Sequence, residues 1–331
     1  MKKNIFIVRS PLQIINAIEA REHFKLQNTV LVMMLDKAEC LNADQMRDAL
    51  KISAWDEVIS YQPQQKASSL SEQVQLIKRL KKDEYDYMFS GDFGTVNKIM
   101  MANLNAKEIF LIDDGTATIV IHQKLFEKQS APLRKKAKLL RYRLFGLKSR
   151  IKNTINFFTC YDLKSIKDEQ IVENSYQYMQ KKYLKELEQD NKTYVLGQNL
   201  TQVKFMDDKT YVSYVKKIIS HYSGEIIYIP HRTEIISESL RGLFNERFKL
   251  QMTEGPIELV FLKDAIYPSR VISFVSSALF TLNKIFSKAE VNAIKIDEND
   301  LKLGQENIKI CYTFFDNTSV KVVTLEDEKG Q

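Results

Sequence analysis

The sequence predicts an α/β protein of two Rossmann-like domains facing each other across a cleft, and three observations carry the prediction. With 331 residues the chain exceeds what one hydrophobic core usually supports. Short β-rich runs alternate with longer helical segments from the first residues, the pattern of βαβ units and a mostly parallel sheet. After a polar stretch the alternation begins again.

In the first series the strands are expected at 5–8, 30–35, 57–60, 87–90 and 108–112, with helices at 12–26 and 70–82 between them. Residues 167–190 are polar, charge-rich and helix-prone, with no clear strand. The second series has strands expected at 193–196, 225–229, 259–262, 270–275 and 291–296. The reading is an N-terminal domain over 1–165, a linker over 166–192 and a C-terminal domain over 193–331. Neither an internal repeat nor a low-complexity tract interrupts it.

Composition narrows the class. A hydrophobic content of 44% and a charged content of 27% exclude a disordered or fibrous chain. Cys40, Cys160 and Cys311 are odd in number and far apart, so a disulfide framework or zinc site is not expected, and they read as small buried hydrophobes. The opening Ile5-Phe6-Ile7-Val8 is cut at once by Arg9 and Ser10-Pro11, too short for a signal-peptide core, and no run approaches the length of a membrane span. A cytoplasmic protein is expected.

The net charge of +7 is unevenly spread. Within 132–152, Arg134, Lys135, Lys136, Lys138, Arg141, Arg143, Lys148, Arg150 and Lys152 interleave with Leu139, Leu140, Tyr142, Leu144, Phe145 and Leu147. Such a segment suits peripheral contact with an anionic membrane or an anionic glycolipid. A solvated helix face is the plain alternative. Nucleic acid is not expected as a partner, because no binding motif accompanies the charge.

Polar clusters follow the expected strands, where a doubly wound fold binds ligands. Ser10-Pro11-Leu12-Gln13 follows the first strand and Ser90-Gly91-Asp92-Phe93-Gly94 the fourth. Asp113-Asp114-Gly115 follows the fifth. Two adjacent carboxylates repel and raise one pKa, which suits a general base, while glycine permits close approach or positive φ. The same acids also suit a capped turn.

In the second half the tips are Gly197-Gln198, Pro230-His231-Arg232 and Ser276-Ser277. A histidine at a strand end can protonate a departing phosphate, and the neighbouring arginine adds charge. The serine pair opens an apolar helix, where hydroxyls and free N–H groups make an anion site or a simple cap. His23, His122 and His221 read as ordinary structural residues.

In this order the tips resemble those of the bacterial sialyltransferases, most closely glycosyltransferase family 52, the lipooligosaccharide sialyltransferases. Asp113-Asp114-Gly115 is similar to that family's acidic motif, His231 to its histidine-proline motif, with proline preceding rather than following here, and Ser276-Ser277 to its serine pair. The turn Ser10-Pro11-Leu12-Gln13 and the run Val195-Leu196-Gly197-Gln198 resemble its domain openings.

The resemblance implies the GT-B architecture and inverting transfer of sialic acid from CMP-sialic acid to a terminal sugar, galactose, of lipooligosaccharide, lipopolysaccharide or capsule. It implies Asp113 as the base, with Asp114 second, and His231 as the group that protonates or hydrogen-bonds the CMP phosphate. Ser276 and Ser277 would hold that phosphate, and Glu258 would grip the ribose. Ser10, Pro11, Gln13, Gly115, Gly197, Gln198 and Arg232 would complete the substrate contacts.

The leaving group that the resemblance implies is a monophosphate, so no metal or other cofactor is expected. Transfer of a different CMP-activated ulosonate, pseudaminic, legionaminic or Kdo-type, stays open because of Arg232. A non-catalytic glycan-binding module is the reading from another class. Oligomeric state is left open.

Overall fold

The structure, a computed structural model, describes residues 2–35, 41–63, 69–126, 133–185, 187–315 and 318–325. Its internal contacts divide the chain into two compact units, Met1–Tyr178 and Met179–Gln331.

The first unit runs β1 (Lys3–Val8), α1 (Pro11–His23), β2 (Thr29–Met34), α2 (Leu41–Leu50), β3 (Glu57–Tyr61), α3 (Ser69–Leu80), β4 (Glu84–Ser90) and α4 (Thr95–Asn103). It continues with β5 (Asn105–Ile112), α5 (Ala117–Phe126), α6 (Leu133–Arg143), β6 (Ile155–Thr159) and β7 (Ile171–Glu173). All seven strands pair in parallel, in the order β3-β2-β1-β4-β5-β6-β7.

A parallel sheet must be covered on both faces, and the register shows how this one is. Ile5 aligns with Val30 and Met88, and Met88 with Ile109; this face packs on Ile77 and Leu80 of α3 and Ile99 and Met100 of α4. Phe6, Phe89 and Phe110 align on the other face, with ring centroids 4.6 Å and 5.4 Å apart. Phe24, at the C-terminal end of α1, closes over Phe89 and Phe110 at 5.4 Å and 5.2 Å.

The second unit holds most of α7 (Gln177–Tyr183), then β8 (Thr193–Leu196), α8 (Asp208–His221), β9 (Ile226–Ile229), α9 (Glu238–Arg241) and β10 (Phe248–Leu250). It ends with α10 (Ile257–Lys263), β11 (Arg270–Ser273), α11 (Ala278–Ile285), β12 (Glu290–Ile294), α12 (Gln305–Phe315) and β13 (Lys321–Val323). Its strands are also all parallel, in the order β10-β9-β8-β11-β12-β13. Both sheets reverse their winding beside their first strand, at β1/β4 and at β8/β11. Those are the crevices in which doubly wound folds hold ligands.

Several expectations are corrected. Residues 259–262 are helix, not strand: Pro256 occupies the cap, and Glu258, Leu259, Phe261 and Leu262 are buried. A four-residue apolar run has no period that separates the two states. The third strand of this sheet is instead β10, a short edge whose Lys249 is exposed. The polar stretch expected to lack a strand contains β7, the other sheet's edge. Cys160 is buried as expected, Cys311 only half so, and Cys40 lies outside the described residues. No helix among the described residues is long and apolar enough to cross a membrane.

Candidate active site

In the first unit the site grows from the tips of β1 and β5. Ser10 caps α1, accepting the Gln13 N–H at 3.3 Å, and Pro11 opens the helix where its missing N–H costs nothing. This first turn buries Gln13, whose Oε1 accepts the Arg9 N–H at 2.7 Å and whose Nε2 donates to Asp114 Oδ1 at 2.7 Å. One side chain thereby ties the tip of β1 to the acidic turn after β5. Arg9 also reaches Asp92 in the β4 tip at 3.8 Å.

The two acids have different surroundings. Asp113 is 1% exposed, with Oδ1 accepting the Thr159 hydroxyl at 2.6 Å and Oδ2 the Cys160 N–H at 2.8 Å. Burial pushes its carboxyl up to about 6, against the opposing pull of those two donors. Asp114 is half-exposed, and its N–H donates to the Thr118 hydroxyl at 3.1 Å. Gly115 then turns the chain at φ +61°, a region that favours glycine.

Behind the turn lies a polar network that sequence reasoning missed. Asn16 donates to the Asp113 carbonyl at 3.1 Å and accepts from Asn174 at 3.1 Å and the Tyr176 hydroxyl at 2.7 Å. Glu19 accepts the Tyr178 N–H at 3.1 Å. Gln13, Asn16 and Glu19, spaced by three in an otherwise apolar helix and all buried, are the signal that could have found it. His122 is buried against Glu169 at 3.1 Å, whereas His23 and His221 are exposed. Burial pushes the Glu169 carboxyl up, but the N–H groups of Ile166 and Lys167 and the His122 ring outweigh it and lower it to about 2.

In the second unit the tips of β8, β9 and β11 meet. Gln198 Oε1 accepts the Val275 N–H at 2.9 Å, so a glutamine ties this switch point as Gln13 ties the other domain's tips. Ser276 Oγ accepts the Ala278 N–H at 3.3 Å, while Ser277, first at the helix start, makes no side-chain capping bond. Of the pair, one hydroxyl serves the helix. Glu258 is 3% exposed and accepts the Thr281 hydroxyl of α11, with burial raising its pKa.

His231 and Arg232 are exposed at the β9 tip. The surrounding atoms still desolvate the imidazole enough to lower its pKa, with Arg232 the smaller cause. The Thr233 N–H donates to Nδ1 at 3.3 Å, and the Thr233 hydroxyl, itself accepting from Asn199 at 2.8 Å, lies 3.0 Å from the same nitrogen. Nδ1 is thus the acceptor of the neutral ring, which puts the proton on Nε2.

The turn is held from behind by Glu234. Its Oε2 accepts the His231 N–H at 3.0 Å and its Oε1 the Tyr228 hydroxyl. Tyr228 meets Tyr211 at 2.8 Å, and Tyr211 accepts the Gln198 N–H at 2.9 Å. Burial pushes Glu234 up to about 6 and raises both tyrosines. Gly197 is buried against Glu234 and Tyr228, and a Cβ there would overlap both. Sequence reasoning missed Glu234; its place three residues after His231, closing a turn, was the available signal. Among the described residues no cluster of three His, Cys, Asp or Glu forms a metal site.

Two solved structures share the fold across nearly the whole chain. Phytolacca americana UGT2, complexed with UDP-2fluoro-glucose and pterostilbene, matches with a TM-score of 0.52 at 13% identity, over 99% of this chain and 86% of that one. TcCGT1 in complex with UDP matches with a TM-score of 0.52 at 11% identity, over 99% and 86%. The fold is therefore that of GT-B glycosyltransferases, two parallel-sheet α/β domains. A comparison with curated proteins finds no match. The family model that matches is that of the alpha-2,8-polysialyltransferases, over residues 4–295, which takes in every tip described above. The chain is a sialyltransferase-type glycosyltransferase and belongs to the alpha-2,8-polysialyltransferase (POLYST) family.

Proposed function

We propose that the protein is an inverting transferase that moves N-acetylneuraminate from its CMP ester to a terminal sugar of a surface glycan, lipooligosaccharide, lipopolysaccharide or capsule. The His231 turn carries the reading. Its Nδ1 is occupied by Thr233, which leaves an exposed Nε2–H for the oxygen that departs with CMP. Arg232 adds charge, and Ser277 a hydroxyl not used in capping.

Asp114 takes the base role that the resemblance implies first for Asp113. The Asp113 oxygens are buried and engaged by Thr159 and Cys160, so an acceptor hydroxyl has no path to them. Asp114 is half-exposed on the same turn and is oriented by Gln13. The acceptor hydroxyl gives its proton to Asp114 and attacks the anomeric carbon. The bond to CMP breaks, its electrons pass to the phosphate oxygen, and His231 donates to that oxygen. Glu258 is buried against Thr281, and we assign it to supporting the start of α11 rather than to gripping ribose.

A second acceptor is favoured by the family match, which names polysialyltransferases: a terminal sialic acid in place of galactose. In both cases the residues named here supply the whole of the charge stabilisation, so transfer should proceed in excess EDTA. The test is mass analysis of products from CMP-N-acetylneuraminate with terminal galactosides and with sialylated primers, each in EDTA. Addition of sialyl residues is expected, single on one acceptor class or repeated on the other. Activity lost in EDTA and restored by magnesium or manganese would contradict the metal-free reading.

A further inference from the structure

We infer that the C-terminal half of α6 and the turn after it form a membrane-docking surface for an anionic bilayer. Tyr142 and Leu147 are buried in the first unit's core, and Leu139 packs against it, which fixes the segment on the domain. On the outer face, Leu140 and Leu144 stand one helical turn apart and Phe145 follows. They are 54%, 81% and 42% exposed.

A solvated helix puts its charges outermost and its leucines inward. Here Leu140 and Leu144 are exposed together with the basic residues of the same segment. Lys138, Arg141, Arg143, Lys148, Arg150 and Lys152, before, between and after the three apolar residues along the chain, are exposed, with none ion-paired to a described residue. No Asp or Glu occurs anywhere from Lys128 to Tyr161. The side chains of Arg134, Lys135 and Lys136, part of the same basic run, lie outside the described residues.

The combination selects the occupant. A soluble anionic glycan is held by cations alone and gains nothing from three exposed apolar side chains. An anionic bilayer uses both, with headgroups met by Lys and Arg and the acyl boundary by Leu and Phe. A surface of this kind would keep the enzyme beside lipid-linked acceptors.

The experiment is sedimentation with vesicles of equimolar phosphatidylcholine and phosphatidylglycerol, using the full chain. Binding is expected at low salt and much less to phosphatidylcholine alone. Each basic residue near such a surface contributes about fivefold, so replacing Lys138, Arg141, Arg143 and Lys148 with Gln should weaken binding at least about hundredfold. The Leu140→Ser, Leu144→Ser, Phe145→Ser variant keeps every charge and should also lose vesicle binding while retaining the parent's retention on a soluble sialic acid polymer. Unchanged circular dichroism and melting temperature establish that both variants are folded. A parent that ignores the anionic vesicles, or an apolar variant that binds them as the parent does, would overturn the inference; the second result would identify the surface as a polyanion site.

Discussion

Asp114→Asn is expected to lower kcat by about 10²- to 10⁴-fold, the range removed with a general base, while CMP affinity stays within a few-fold of the parent. The asparagine keeps the volume and can still accept from Gln13 Nε2, so the β1–β5 connection survives while proton acceptance is lost. Asp113→Asn is the informative companion. Its side-chain oxygen can still take the Cys160 N–H, and an amide needs no charge desolvated in a site that already pushes the carboxyl up to about 6. Asp113→Asn should therefore retain far more activity than Asp114→Asn. Steady-state kinetics beside CMP titration calorimetry distinguishes the two. The reverse ranking would return the base role to Asp113, and more than half the parent activity in both variants would remove it from this turn.

His231→Ala should reduce kcat/KM by a comparable factor, about 10²- to 10⁴-fold, because the group lost acts on the leaving oxygen as the bond to CMP breaks. Thr233→Val separates chemistry from positioning. It retains the imidazole and the backbone N–H to Nδ1 but deletes the hydroxyl partner, so its loss should be smaller than that of His231→Ala. A His231→Ala enzyme within threefold of the parent would show that the ring stands at the site without acting there.

Much of this arrangement is legible in the sequence because each tip is a polar cluster after a β-rich apolar run. Those runs in β1, β5, β8 and β9 are buried strands, and Gln13, Asp113, Gly197 and His231 stand where their ends direct the chain. The choice between the two acids is not legible. Residues 109–113 are all buried, so no alternation indicates which carboxylate turns inward. The groups that decide it, Thr159 at the end of β6 and Cys160 just after it, come 46 and 47 residues further on.

Edge strands were missed for a related reason. Residues 171–173 and 248–250 are short and carry charged neighbours, since an edge strand has one side to bury rather than two. The 259–262 run fails in the opposite sense, being apolar enough for a strand but buried as about one helical turn behind Pro256. The Glu234–Tyr228–Tyr211–Gln198 chain lies in three separate segments, and only the fold brings it behind His231.

We propose that this fold, shared with structures that hold UDP or a UDP-sugar analogue, is used here for a CMP-linked acid sugar. The most direct test is nucleotide release from an equimolar mixture of CMP-N-acetylneuraminate and UDP-glucose, with a galactoside and a sialylated primer both present, followed by chromatography. Release of CMP in step with sialylation of an acceptor, with UDP-glucose left intact, is the predicted result. Release of UDP with the CMP donor untouched, by folded protein, would contradict it.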